Sequence, residues 1–265
     1  MGFDYMNIVY AVLVLAIIGG VLGLALAFAA KVFEVKVDER QTAILEILPG
    51  ANCGGCGFAG CANFAEAVVA GNAKAGGCVV GGSEVAEKVS AIMGTEAGPE
   101  TRRVAFVHCA GGDRAVNKYD YGGVESCVAA LKLQNGPKQC AYACLGFGDC
   151  VRACKFNAIH IENGAARVDR EKCTGCFACK AACPRSIIAD VPYENHYFVP
   201  CSSKSKGAET RKECQVGCIA CRLCEKACEF DAIHVIDNLA VIDYSKCTAC
   251  GKCFEACPRK LIVKL

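Results

Sequence analysis

The chain has 265 residues, 24 of them cysteine, and its 29 Lys+Arg nearly balance 27 Asp+Glu. So small a net charge argues against nucleic-acid binding driven by bulk positive charge, and a cysteine share inside the roughly 8–10% band points to sulfur chemistry rather than ordinary apolar packing. Such cysteines are either disulfides of an oxidising compartment or thiolates that hold metal in a reducing one.

From Ile8 to Ala30 no charged residue occurs. About 20 apolar residues span a hydrocarbon core as a helix, so this run is expected to be a retained membrane anchor. A secretory signal peptide competes, with an A-x-A pattern at Ala27-Phe28-Ala29, but the first seven residues hold Asp4 and no Lys or Arg, and the run exceeds the usual length. Lys31, Lys36 and Arg40 follow the helix; by the positive-inside rule the N-terminus lies outside and everything after residue 31 in the cytoplasm. That placement disfavours disulfides. Gly19 and Gly23 form a small-xxx-small pair on a face with Ala16, Gly20 and Ala27, which would let a second membrane helix approach closely.

A short amphipathic helix is expected over Val37–Leu48, ended by Pro49-Gly50. Next comes N-C-G-G-C-G-F-A-G-C, carrying Cys53, Cys56 and Cys61, with Cys78 farther on. Three close thiolates plus a distant fourth can surround an iron–sulfide cube, and the interleaved glycines let the loop fold tightly with its N–H groups toward sulfur. Ala62–Ala70 reads as a supporting helix. Zinc on four Cys is the rival. Gly55-x-Gly57-x-x-Gly60 also fits a dinucleotide fingerprint, but no strand precedes it and cysteines fall within it.

The remaining chain is duplicated. Cys127, Cys140, Cys144, Cys150, Cys154, Cys173, Cys176, Cys179 and Cys183 recur 74 residues later as Cys201, Cys214, Cys218, Cys224, Cys228, Cys247, Cys250, Cys253 and Cys257. Phe156-Asn157-Ala158-Ile159-His160 likewise matches Phe230-Asp231-Ala232-Ile233-His234, and Cys183-Pro184-Arg185 matches Cys257-Pro258-Arg259. The second copy has two C-x2-C-x2-C-x3-C runs, a bacterial dicluster pattern in which the fourth Cys of each run serves the other cluster. Cys218, Cys221, Cys224 and Cys257 are then expected to hold one [4Fe–4S] cluster, and Cys247, Cys250, Cys253 and Cys228 the other. Between the runs, Ala232–Val235 and Leu239–Asp243 read as strands around an Asp237-Asn238 turn.

In the first copy Phe147 stands where the second has Cys221. Cys140 is the nearest substitute, giving Cys140, Cys144, Cys150 with Cys183, and Cys173, Cys176, Cys179 with Cys154. Five clusters at four ligands each leave Cys109, Cys127, Cys201 and Cys214. These four are expected to hold a sixth cluster at the junction of the copies, the alternatives being free thiols or a ligand set that involves Cys140. His160 and His234 read as structural; His108, beside Cys109, is a candidate to tune or replace a ligand. No C-x-x-C-H, P-loop, serine elbow or H-E-x-x-H motif occurs.

An anchor, then ILPG-x-N-CGGCGFAGC, then ferredoxin repeats resembles the family of B subunits of the Rnf complex over nearly the whole chain. The double cassette with CLGFGDC and VGCIAC is similar to the longer form found in strict anaerobes. The resemblance implies an α+β chain: a transmembrane anchor (1–33), a small helical 4Fe–4S domain (34–98), a connecting segment with extra Cys (99–139), and two tandem bacterial-type 2[4Fe–4S] ferredoxin domains (140–192 and 193–265). It implies an electron-transfer subunit of a membrane-bound ferredoxin:NAD+ oxidoreductase that exports Na+ or H+, without a complete active site of its own. Reduced ferredoxin would be the electron donor, and NAD, flavins and the ion path would belong to partner subunits. Lys204, Lys206, Arg211 and Lys212, in the stretch Ser202–Lys212, are candidates to steer an acidic ferredoxin, a solvated loop being the simpler account. The remaining alternatives are a polyferredoxin serving a hydrogenase or formate dehydrogenase, and a zinc-stapled scaffold.

Overall fold

The computed structural model describes residues 5–32, 38–96 and 101–265. Lys36, Val37 and the expected domain boundaries near residues 33–34 and 98–99 lie outside them. Helix α1 (Tyr5–Val32) contains a stretch, Val12–Val32, long and apolar enough to cross a membrane, and none of it is buried against the rest of the chain. A helix apolar all round and left bare by its own protein has lipid or other membrane helices as its natural surroundings.

Three helices make the next unit. Asp38 caps α2 (Glu39–Ile47) by accepting the Arg40 N–H at 2.9 Å. Asn52 does the same for α3 (Cys61–Val69), its Oδ1 accepting the Cys61 N–H at 2.8 Å. Helix α4 (Gly82–Met93) stops at Gly94 in the left-handed conformation, the usual helix terminator. Ile44, Leu48, Phe64, Val68 and Val89 close the core between them.

Each ferredoxin copy is then built on one plan. In the first, β1 (Arg103–Val107) opens the copy, α5 (Cys127–Lys132) and α6 (Asp149–Arg152) follow, and β2 (Ile159–Glu162) with β3 (Ala165–Val168) form a hairpin. Helix α7 (Ala178–Ala182) and β4 (Ile188–Pro192) complete it. Strand β4 returns antiparallel to β1, pairing Val104 with Val191 and Phe106 with Ala189. In the second copy β5 (Tyr197–Phe198) precedes α8 (Gly207–Glu213), α9 (Leu223–Lys226), the hairpin β6 (Ile233–Ile236) and β7 (Leu239–Ile242), α10 (Lys252–Glu255) and β8 (Val263–Lys264). Strands β5 and β8 pair as β1 and β4 do, and the hairpins match in register, Ile159 opposite Val168 and Ile233 opposite Ile242.

Two sequence expectations change here. Residues 103–107, placed in a connecting segment, supply the opening strand of the first ferredoxin unit. The structural counterpart of Cys201, which follows β5, is therefore Cys109, which follows β1, and not Cys127. Cys109 lies 31 residues before Cys140, whereas Cys201 lies 13 before Cys214; Cys127 sits in the extra length, and its 74-residue match to Cys201 is a coincidence of that length. The copies meet through Phe106 and Phe198, stacked with ring centroids 4.7 Å apart. Around that stack, the Ala110 N–H donates to the Pro200 oxygen at 2.8 Å and Ser202 Oγ to the His108 oxygen at 2.8 Å.

Candidate functional site

The cysteine runs of the two copies share a local backbone. In each, the residues on either side of the middle position are left-handed: Gly146 and Gly148, Gly175 and Phe177, Ala220 and Arg222, Ala249 and Gly251. The second of each pair is also the N-cap of the short helix that carries the third cysteine. Non-glycine residues in this region are uncommon and cost energy, so surroundings must hold them there. In the second copy these left-handed turns curl each loop so that the first three sulfurs of its run line one cavity. Backbone N–H groups then reach sulfur: Ala158 to Cys154 and Ala232 to Cys228 at 3.4 Å, Leu261 to Cys257 at 3.4 Å, and Ala105 to Cys173 at 3.4 Å.

Five cavities, each enclosing about 330–380 Å³ with its mouth, are lined by cysteine foursomes. Cys53, Cys56, Cys61 and Cys78 line one, together with Phe64 of α3. Cys218, Cys221, Cys224 and Cys257 line the second, and Cys228, Cys247, Cys250 and Cys253 the third. Both of these contain the crossed fourth cysteine that the spacing implied. A sixth group is marked by Cys179: burial first, then the thiolates of Cys173, Cys176 and Cys154, push its thiol up to about 12.

The remaining eight cysteines divide differently from the sequence expectation. One cavity is lined by Cys127, Cys144, Cys150 and Cys183, the other by Cys109, Cys140, Cys201 and Cys214. Cys140 thus lines the junction cavity, and Cys127 lines the cavity beside Phe147, the residue at the position of Cys221. The physical reason is local. Ser126 caps α5, and Asp149 Oδ2, one residue before Cys150, accepts the Val128 N–H at 3.0 Å and the Ser126 hydroxyl at 3.1 Å. Phe147 meanwhile packs against Tyr121, ring centroids 5.1 Å apart, and beside Cys127, Ala130 and Leu145. The residue that removes one sulfur from the loop therefore holds up the helix that supplies another.

All four junction cysteines are buried. Cys201 is pushed up to about 12 by burial first, against N–H bonds from Cys218 and Ser203. The junction sulfurs accept N–H bonds from the neighbouring donor sets on both sides, Cys144 to Cys109 at 3.3 Å and Cys218 to Cys201 at 3.4 Å. His108 lines the junction cavity beside Cys109; its Nδ1 bonds the Val199 oxygen at 2.9 Å and its ring lies edge-on to Phe106, which ties the copies together, and burial lowers its pKa. His160 and His234 sit on β2 and β6 beside carboxylates.

Among the described residues no group of three or more His, Cys, Asp or Glu converges on a point that would hold a single ion. The thiols stand instead around cavities, which suits a polynuclear cluster, and four cysteines with N–H groups aimed at sulfur are the donor set such a cluster takes. The crowding shows in the thiol itself: Cys150 is pushed up to about 12, chiefly by burial and then by Cys144, Cys127, Cys183 and Cys179.

A membrane helix followed by three units of cysteine-lined cluster sites defines a membrane-anchored, ferredoxin-type iron–sulfur protein. Family models agree: an Fe–S cluster domain matches residues 48–80, and 4Fe–4S dicluster domains match residues 132–184 and 217–262. Over 257 residues the chain is 44% identical to the B subunit of the ion-translocating oxidoreductase complex of Methanosarcina acetivorans, covering 96% of this chain and 97% of that protein. It is 46% identical over 251 residues to the B subunit of the Na+-translocating ferredoxin:NAD+ oxidoreductase complex of Acetobacterium woodii, covering 94% and 75%. With the proton-translocating counterpart of Clostridium ljungdahlii it shares 45% over 260 residues, covering 96% and 91%. The chain belongs to the family of B subunits of Rnf-type ion-translocating oxidoreductase complexes, and it is an iron–sulfur electron-transfer subunit of that class.

Proposed function

We propose that the chain holds six [4Fe–4S] clusters on the six cysteine foursomes and passes electrons along them, from reduced ferredoxin toward the other subunits of a ferredoxin:NAD+ oxidoreductase complex that exports Na+ or H+. A [4Fe–4S] cluster supplies reversible one-electron exchange at a potential tuned by charge, hydrogen bonds to sulfur and burial. The carrying observation is the junction foursome, Cys109, Cys140, Cys201 and Cys214, drawn from both copies and bonded through N–H groups to the donor sets on either side. It turns two separate ferredoxin units into one row.

The N-terminal foursome joins the same row. A Cβ on Gly55 would lie 2.9 Å from the Cys176 Cα, so only glycine permits the contact, and Lys155 Nζ donates to the Asn52 oxygen at 3.2 Å beside Cys53. The order supported is the residue 53–78 site, then Cys154/173/176/179, Cys127/144/150/183, the junction, Cys218/221/224/257, and Cys228/247/250/253. Segment Ser202–Lys212 is not a plain loop: Ser203 and Thr210 line the junction cavity, while Lys204, Lys206, Arg211 and Lys212 stay exposed. Lys204 pairs with Asp237 at 3.2 Å, and Lys206, Arg211 and Lys212 favour docking of an acidic ferredoxin near the junction. The anchor would place the cluster-bearing part in the cytoplasm, since Lys31 and Arg40 follow the helix.

Anaerobic purification with iron and sulfide analysis and EPR during stepwise reduction tests the reading. About 24 iron atoms per chain are expected; about 20 would remove the junction site, and zinc in place of iron would end the redox assignment. Charge reversal at Arg211 and Lys212 should slow reduction by ferredoxin at low salt and lose its effect at high salt; unchanged rates would move the docking surface elsewhere.

A further inference from the structure

Each ferredoxin copy places Pro-Arg directly after its last cysteine: Pro184-Arg185 after Cys183 and Pro258-Arg259 after Cys257. Both guanidinium groups are held by their terminal nitrogens. Arg185 Nη1 donates to Asn135 Oδ1 at 3.0 Å and to the Ala141 oxygen, and its Nη2 donates to the Asn135 oxygen at 2.6 Å. Arg259 Nη2 donates to the oxygen of Cys214 at 2.9 Å. Ala141 follows Cys140, so in both copies the arginine grips the backbone at or beside a junction cysteine.

The Nε–H groups of the same two arginines are buried and have no hydrogen-bond partner within the protein. Five side-chain atoms among the described residues share that condition, and two of them are this pair, at equivalent places in the repeat. A packing accident has no reason to recur at a 74-residue interval, and a buried donor ordinarily finds an acceptor. Arg185 lines the cavity of Cys127, Cys144, Cys150 and Cys183; Arg259 lines that of Cys218, Cys221, Cys224 and Cys257. The other donor set of each copy has no such cation: the unpartnered group beside Cys173 is the neutral Thr174 hydroxyl. Lys155, after Cys154, reaches away to the Ala51 and Asn52 oxygens, and the residue after Cys228 is Glu229, paired with Lys252.

We propose that Arg185 and Arg259 are positioning residues whose Nε–H groups bond sulfur of the cluster in the cavity each one lines, raising the reduction potential of the two clusters flanking the junction above those of the outer sites. The inference rests on the six donor sets proposed as cluster sites. Its electrostatics are simple. Reduction adds one negative charge to a cluster, and a cation with an N–H toward sulfur stabilises the reduced form more than the oxidised one. Electrons are thereby biased toward the junction from both sides, with the same side chain fixing the distance between neighbouring donor sets.

The test uses the full chain, purified without oxygen, in an EPR-monitored redox titration of Arg185→Gln, Arg259→Gln, Arg185→Lys and Arg259→Lys. Iron content of the unsubstituted chain reports on the donor sets, and midpoint potentials of the variants report on the arginines, so the two readings fail separately. Expected is unchanged iron, with one component in each Gln variant moving to lower potential, a smaller move of the same sign in each Lys variant, and the other components unmoved. Titration curves like that of the unsubstituted chain in all four would overturn the proposal. Should the Gln variants lose iron, the Lys variants decide by the same criterion, and iron loss in those too would reduce the arginines to loop clamps and overturn it.

Discussion

Replacing Cys127 is the sharpest perturbation of the donor sets. If Cys127 completes the foursome with Cys144, Cys150 and Cys183, Cys127→Ala removes one cluster, about four of ~24 iron atoms, and leaves the junction set intact. The geometry also predicts a rescue. Gly146 and Gly148 carry the same left-handed turns on either side of Phe147 that Ala220 and Arg222 carry around Cys221, so the loop is already shaped to offer a sulfur at position 147. Phe147→Cys in the Cys127→Ala background should restore the missing iron. Its cost is the half-buried Phe147 ring against Tyr121, about 1–2 kcal/mol from lost apolar burial, too little to unfold a domain. The assay is iron per chain with the integrated EPR signal after dithionite reduction, set beside Cys140→Ala, which should lose the junction cluster and not be rescued by Phe147→Cys. Full iron in Cys127→Ala, or rescue of Cys140→Ala by Phe147→Cys, would refute the reasoning and return Cys140 to the first cassette.

Two further outcomes follow from packing and capping. Phe198 is fully buried between Phe106, Tyr244 and the Arg170 guanidinium, so Phe198→Ala should destabilise the contact between the copies by about 3–5 kcal/mol, read as a lower midpoint in anaerobic denaturant titration; an unchanged midpoint would mean the copies do not depend on this stack. Burial pulls the Asp149 carboxyl pKa up, but N–H bonds from Val128 and Cys127, the Ser126 hydroxyl and Arg152 outweigh it and hold the value below the ordinary one. A carboxylate with a folded pKa below its unfolded one contributes stability that is present above the unfolded value and lost as pH falls through the folded one, so this cap is intact at pH 7 and fails only below about pH 3.9. Asp149→Asn should therefore cost about 1–2 kcal/mol at neutral pH and loosen the Cys127 site first, measured as selective iron loss at pH 7; equal retention by variant and parent would sink it.

Much of this architecture is legible in the chain because its signals are local. The charge-free run announces α1, the C-x2-C-x2-C-x3-C spacing anticipates which cysteines of the second copy line each cavity, and the Asp237-Asn238 turn sets the β6–β7 register. What escapes is whatever depends on pieces distant in sequence meeting in space. Cys109 and Cys201 become equivalent only because each follows the strand that opens its copy, and short strands such as β5, two residues long, leave no periodic trace. Cys127 misleads for a related reason: the extra length between Cys109 and Cys140 happens to set it 13 residues before Cys140, the spacing of Cys201 from Cys214. Phe147 is the available clue, since a lost ligand implies a replacement, but choosing between Cys127 and Cys140 needs the cap at Asp149 and the ring of Tyr121.

Burial orders the sites by vulnerability, and that order bears on how the protein loses its metal. Cys109, Cys140, Cys201 and Cys214 are all buried, whereas Cys221 and Cys250 are exposed and Cys53, Cys56 and Cys61 are half-buried. An oxidant or chelator too large to penetrate the fold therefore meets the second cassette and the N-terminal site before it meets the junction. Loss at the ends leaves the β1–β4 pairing and the Phe106–Phe198 stack untouched, so the centre need not collapse with them. Ferricyanide with a bulky chelator should thus release iron in separable phases, with the last about four of ~24 atoms belonging to the junction, and Cys201→Ser should abolish that slow phase alone. Release in one phase, or a slow phase that survives Cys201→Ser, would mean that the junction is not the protected centre its burial describes.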